Sequence, residues 1–143
     1  MENTLTMQEK IYIKYKELKE EATTDVKFEK GEIENSFTVT TSLMKWITKR
    51  TEWNRLYREF EDKRKKEYRN RFEFYQTDYP LKLSSKEEYS LFIESDPLYC
   101  DLMNNALLVK EILQYIDSII ETLKNKQWEV KNYLTYLLFV NGK

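Results

Sequence analysis

The residues best suited to chemistry in this 143-residue chain lie in one stretch, KRKKEYRNRFEFY, at positions 63–75. Six of its thirteen residues are basic and four are aromatic, although the whole chain has a formal net charge of −1. Basic side chains bind backbone phosphates, and aromatic rings stack on unpaired bases. The stretch therefore indicates a surface for single-stranded nucleic acid. A solvated face, or one for an acidic partner, stays open because Glu61, Asp62 and Glu67 lie nearby.

If the stretch is helical, residues three and four apart share a face, and two neighbouring lines result. The Arg64 line consists of Arg64, Tyr68, Arg71 and Tyr75. The Lys65 line consists of Arg58, Lys65, Arg69 and Phe72. We see no recognition-helix motif for reading base edges in a duplex, so single strands are the expected ligand. The predicted DNA-binding residues are Arg58, Lys63, Arg64, Lys65, Lys66, Tyr68, Arg69, Arg71 and Tyr75.

The composition argues against several classes of enzyme. The chain has no histidine, which excludes Ser-His and Cys-His nucleophile pairs and imidazole metal ligands. The single cysteine, Cys100, cannot form an internal disulfide or a cysteine zinc cluster. There is no glycine-rich loop to hold phosphates. A metal-dependent nuclease built on Asp78, Asp96 and Asp101 would need a spaced ligand motif, which they lack. We therefore expect no catalytic residues, no metal and no cofactor.

The elements that position the basic stretch are expected to be helices. Only two glycines and two prolines occur, and few turns are possible without them. We predict an all-α fold in one domain, residues 1–143, with helices at about 5–22, 30–76, 85–95 and 97–140. Thr6 is the expected N-cap of the first helix, and Ser85 with Glu88 forms a capping box for the third. Residues 38–41 are β-branched and favour a strand, so the sequence does not decide between helix and strand there.

The fourth predicted helix has a stripe for wrapping around another helix. Between Leu102 and Leu137, eleven positions alternate spacings of four and three, and ten of them are apolar. We expect this stripe to join copies of the chain. An intramolecular hairpin with the 30–76 helix stays open as the alternative, and both arrangements can coexist on different faces. The predicted self-association residues are Val109, Leu113, Ile116, Ile120, Leu123, Val130, Leu134 and Leu137.

Three stretches, in order and spacing, resemble the UvsY family, the recombination mediators of T4-like bacteriophages. They are SLMKWITK (42–49), KKEYRNRFEFY (65–75) and ETLKNKQWEVKNYLTYLLFVNGK (121–143), and the likeness extends over nearly the whole chain. Two departures stand out. Gln127 precedes Trp128 where the family usually has glycine, and QTDYP follows the paired aromatic residues where the family tends to have Gly and Asp. A bend near Gln127 and the form of this connector therefore stay open.

The resemblance implies a function. Members of the family form rings, bind single-stranded DNA and help load a RecA-like recombinase onto DNA covered by single-strand-binding protein, in recombination, replication and repair. It implies a helical-hairpin protomer in a ring-like homo-oligomer, with no catalytic site. Arg69 and Arg71 match the family's basic-x-basic motif, which contributes to DNA binding. The alternative is a coiled-coil scaffold that binds only proteins. No apolar run approaches the length of a membrane span, so we expect a cytoplasmic protein, in the host cell if it comes from a phage.

Overall fold

A computed structural model describes residues 4–27 and 34–142 of the chain. Its helices are α1 (Met7–Asp25), α2 (Glu34–Thr77), α3 (Lys86–Glu94) and α4 (Pro97–Val140). No strand occurs in the described ranges, so the predicted all-α class is confirmed. Residues 38–41 are helical despite their β-branched side chains. The predicted start of the second helix near Lys30 falls outside the described residues.

The two long helices, α2 and α4, pack against each other as an antiparallel hairpin. Each has 44 residues and is therefore about 66 Å long. Near the start of α2, Gln127 Nε2 donates a hydrogen bond of 3.2 Å to Thr40 Oγ1. Farther along α2, Arg64 Nη1 donates a hydrogen bond of 2.8 Å to Tyr99 Oη. Positions that rise along α2 thus meet positions that fall along α4. The helix α4 continues without interruption through Gln127.

The first helix covers one flank of this hairpin. Trp46 Nε1 of α2 donates a hydrogen bond of 2.9 Å to Asp25 Oδ2, and Lys45 forms an ion pair of 2.8 Å with Glu21. Thr6 caps α1 as predicted, because its hydroxyl accepts from the amide of Glu9. The three helices enclose the larger core, whose buried α4 residues are Ala106, Leu108, Val109, Ile112, Leu113, Ile116, Ile119, Ile120 and Leu123.

The predicted stripe of α4 is therefore divided between two environments. Five of the eight predicted self-association residues lie inside the protomer core, where α1 and α2 cover them: Val109, Leu113, Ile116, Ile120 and Leu123. The intramolecular hairpin accounts for this part of the stripe. Val130, Leu134 and Leu137 are only half-buried. Around them Tyr136 and Phe139 are exposed.

A second, aromatic core closes the other end of the hairpin. Tyr75, Leu83, Ile93 and Tyr99 are buried there, and α3 is held against α2 by these contacts. The Ser85 hydroxyl accepts from the Glu88 amide at 3.2 Å, as the capping box predicts. The Glu88 carboxylate, however, accepts from the amide of Ser84 and not of Ser85. The connector after α2 is thus fixed by an extra side-chain contact.

Asp96 joins two of the helices at this end. It is the N-cap of α4, and its Oδ1 accepts from the Leu98 amide at 2.9 Å. Its Oδ2 accepts from the Tyr75 hydroxyl at 2.8 Å and lies 3.7 Å from Arg71 Nη1. The carboxylate is almost completely buried. One side chain thus orders the start of α4 and ties it to the end of α2.

Asp96→Ala should therefore lower the free energy of unfolding by about 2–4 kcal/mol. Losing the cap costs about 1 kcal/mol, and the buried Tyr75 hydroxyl loses its partner, at about 1–3 kcal/mol. Urea unfolding at one protein concentration measures this, with Asp78→Ala, an exposed carboxylate of the preceding connector, as the control. Equal stability of the two variants would contradict the role assigned to Asp96.

Candidate nucleic-acid interface

The basic stretch lies on the C-terminal half of α2, beyond the part that α1 covers. Trp53 and Phe60 are the last buried apolar side chains of α2 in the larger core. The same spacing of three and four then continues to Arg64, Glu67 and Arg71, which are half-buried. A helix must turn one face to its neighbour even where no apolar residue is available. Polar side chains therefore form this part of the contact between α2 and α4.

Arg64 is held by contacts within the protomer. Its Nε and Nη2 donate hydrogen bonds of 3.0 and 2.9 Å to the Glu61 carboxylate, and Nη1 donates to Tyr99. The hydrogen bonds to Glu61 and then to Tyr99 raise the pKa of Arg64, and the Arg64 guanidinium holds the pKa of Glu61 below its usual value. Both groups stay charged and satisfy each other.

Arg71 is also paired with carboxylates of the same protomer. Its Nε lies 3.1 Å from Glu67 Oε1, an ion pair without the alignment of a hydrogen bond. Nη1 faces Asp96 at 3.7 Å, and the guanidinium carbon lies 5.0 Å from the centre of the Phe74 ring. About a fifth of the side chain is exposed. Two carboxylates and one ring thus occupy the group that the sequence predicts to bind DNA.

The two tyrosines of the Arg64 line are packing residues. Tyr75 is 9% exposed, and its burial, with the hydrogen bond to Asp96, raises its pKa to about 12. Tyr68 is half-buried, with its hydroxyl 3.2 Å from Ser90 Oγ and its ring edge-on to Tyr99 at 5.6 Å. Neither ring is placed for stacking on a base in this conformation. The Arg64 line as a whole faces α3 and α4.

The remaining predicted cations face solvent. None of the five makes an ion pair with any described residue: they are Arg58, Lys63, Lys65, Lys66 and Arg69. Only two exposed carboxylates, Glu59 and Asp62, lie among them on α2. Lys65, Lys66 and Arg69 line an open depression of about 450 Å³. The exposed surface of this helix segment is therefore positive, and it can bind phosphates without first breaking an ion pair.

Two residues of this surface are not among the predicted DNA-binding residues. Asn70 lines the same depression, and Phe72 is 37% exposed at the end of the Lys65 line. The spacing already places Phe72 on the Lys65 line, but only the cations of that line are included among the predicted DNA-binding residues. The inward position of Arg64 and Arg71 also had a signal, since both continue the spacing of Trp53 and Phe60.

Other kinds of site find little support in the described part of the chain. No group of three Cys, Asp or Glu side chains there could hold a metal ion. Asp96 is committed to the cap of α4, while Asp78 and Asp101 are exposed. Among the described residues, no helix is both long enough and apolar enough to cross a membrane.

The fold and the surface together define an all-α hairpin protein with an exposed basic face. The sequence profile of one family, described as recombination, repair and ssDNA binding protein UvsY, matches residues 7–143. The chain therefore belongs to the UvsY family, a family of recombination and repair proteins. The predicted resemblance is confirmed.

Solved structures support the same fold. Two crystal forms of the bacteriophage T4 recombination mediator protein UvsY superpose on the chain with TM-scores of 0.76 and 0.78. The sequences are 15% identical, and the matches cover 87 and 88% of this chain and 97 and 96% of the T4 chains. No curated protein matches the sequence. At this identity the superposition establishes the fold alone.

Tyr75 gives the aromatic core a specific response to alkaline pH. Its pKa rises from 10.0 in the unfolded chain to about 12 in the fold. Its contribution to stability is intact below pH 10 and should be lost as pH rises to about 12. Urea unfolding across this range should show a shallower decline for Tyr75→Phe than for wild type. Tyr12→Phe, at an exposed site on α1, should follow the wild-type curve. A Tyr75→Phe curve parallel to wild type would contradict the assignment.

Proposed function

We propose that this chain is a single-stranded-DNA-binding recombination mediator that helps load a RecA-like recombinase onto DNA covered by single-strand-binding protein. One observation carries the proposal: a UvsY family member presents five exposed cations, free of ion pairs with described residues, on one segment of α2. The chain has no catalytic step in this proposal and needs no cofactor. It acts where recombination takes place, in the host cytoplasm if the chain is of phage origin.

The proposed contacts suit a protein that must bind a strand and then release it. Each exposed cation adds a phosphate contact that depends on salt and not on sequence. Single contacts of this kind are weak and can be lost one at a time. Several copies in one assembly make the second and later contacts intramolecular, which raises the overall affinity. The recombinase supplies the nucleotide hydrolysis in this scheme.

We propose that the C-terminal end of α4 joins the copies, in a ring-like homo-oligomer. Val130, Leu134 and Leu137 continue the apolar stripe there, and nothing in the described part of the protomer buries them fully. Phe139 is 81% exposed in the same segment. Exposed apolar side chains clustered in this way mark an interface. Five of the residues predicted for self-association lie in the protomer core instead. In this proposal they contribute to the assembly indirectly, because they hold α4 in place.

Leu134→Asp with Leu137→Asp should shift sedimentation to smaller species without loss of helical circular dichroism. The new carboxylates would be costly to bury in an interface but tolerable on a solvated helix end. Leu98→Asp with Leu107→Asp is the matched control, since both leucines are exposed at the other end of α4. An unchanged mass for the first variant would move the interface elsewhere.

Lys65→Ala with Arg69→Ala should weaken binding to a single strand and reduce the slope of log affinity against log salt. Each lost phosphate contact lowers this slope by about 0.7. Lys10→Ala with Lys16→Ala removes the same charge from exposed sites of α1 and should have little effect. Fluorescence anisotropy across a salt series measures both.

The same comparison separates the mediator from a scaffold that binds only proteins. A scaffold should show equal, small losses in the two double variants, because only the overall charge would matter. Binding that falls with Lys65 and Arg69 alone supports the mediator. A duplex of the same sequence should bind more weakly than the single strand.

A further inference from the structure

One aromatic ring at the basic surface differs from all the others nearby. Phe72 is exposed, whereas Tyr68, Phe74, Tyr75 and Tyr79 are half-buried or buried in the aromatic core. Phenylalanine has no polar group that would account for an exposed position. The ring therefore leaves apolar surface in water at the edge of a basic face.

Phe72 lies on the same face of α2 as the exposed cations of the Lys65 line. It follows Arg69 by three residues and Lys65 by seven, so the three side chains lie along one face of α2. Arg69 and Phe72 are separated by about 4.5 Å along the helix axis. A strand whose phosphates contact Lys65 and Arg69 would thus pass its bases within reach of this ring.

The ring is also supported from behind. Tyr89 of α3 packs on it, with ring centres 4.9 Å apart and an interplanar angle of 39°. Tyr89 itself is half-buried and packs against the aromatic core. A ring held by a neighbour loses little conformational freedom when a ligand stacks on it, which favours binding.

We propose that Phe72, backed by Tyr89, is a stacking platform for an unpaired base of the bound strand. The proposal rests on the single-strand binding proposed above and adds the residue that selects single strands over duplex. Phosphates are present in both forms of DNA, so the cations alone discriminate poorly. A flat ring needs a base whose face is free, which a duplex does not offer. Every base has such a face, so stacking adds no strong sequence preference.

The test compares two ligands that have the same phosphates. One is a mixed-sequence deoxyoligonucleotide, and the other is an abasic strand of equal length. Phe72→Leu keeps an apolar side chain against Tyr89 but removes the flat ring. It should weaken binding to the base-bearing strand at least about fivefold and leave binding to the abasic strand and the salt slope unchanged. Phe72→Trp should bind the base-bearing strand as tightly as wild type or more tightly.

Control variants distinguish the stacking proposal from the proposal of single-strand binding on which it rests. Tyr12→Leu removes an exposed ring on α1 and should leave both affinities unchanged. Lys65→Ala with Arg69→Ala should weaken binding to the base-bearing strand and to the abasic strand alike. Phe72→Leu could bind both strands as tightly as wild type does, or lose affinity for both strands equally. Either result would overturn the stacking proposal and leave the proposal of single-strand binding intact. If Phe72→Leu does not fold, a Phe72→Trp protein that binds both ligands equally overturns the platform. Wild-type protein that binds neither ligand overturns both proposals.

Discussion

The contact between α2 and α4 is the constraint on which the rest of the structure depends. Both helices are 44 residues long, and neither could keep its apolar face in water. Along the middle of the hairpin the contact is apolar and α1 covers its flank, as the complete burial of Trp46 and Ile116 illustrates. Beyond Phe60 the contact consists of charged side chains together with the rings of the aromatic core. The change in chemistry along one interface decides which cations remain free.

The free cations follow from this geometry. A helix that packs along one face divides a dense run of basic residues into an inner and an outer set. The inner set, Arg64 and Arg71, is paired with carboxylates that occur in the same run. The outer set has no such partners among the described residues and forms the positive surface. Glu61 and Glu67 therefore act inside the protomer, which is why these two carboxylates do not cancel the exposed charge.

The helices could be predicted from the sequence because caps, scarce glycine and apolar spacing are local signals. The pairing of the helices could not, because a stripe such as that of α4 is equally suited to a second copy or to another part of the same chain. The stripe around Ile116 became protomer core, while the residues around Leu134 kept a free side. The spacing predicted both lines of the basic stretch. It did not show which line faces α3 and α4, since that depends on how the aromatic core closes around Tyr75.

The two arginines of the basic-x-basic motif illustrate the limit of a motif read without a fold. Two residues apart on a helix, they point in directions that differ by about 200°. Arg69 points to solvent, whereas Arg71 is packed between Glu67 and Asp96. A phosphate that bound Arg71 would compete with two carboxylates, one of which caps α4. Binding at Arg71 would therefore lower the stability of the fold, whereas binding at Arg69 would not. Replacing Arg71 would also leave Asp96 with less compensating charge. A loss of DNA binding in such a variant is therefore informative only beside its unfolding curve, whereas a loss at Arg69 reports on the surface itself.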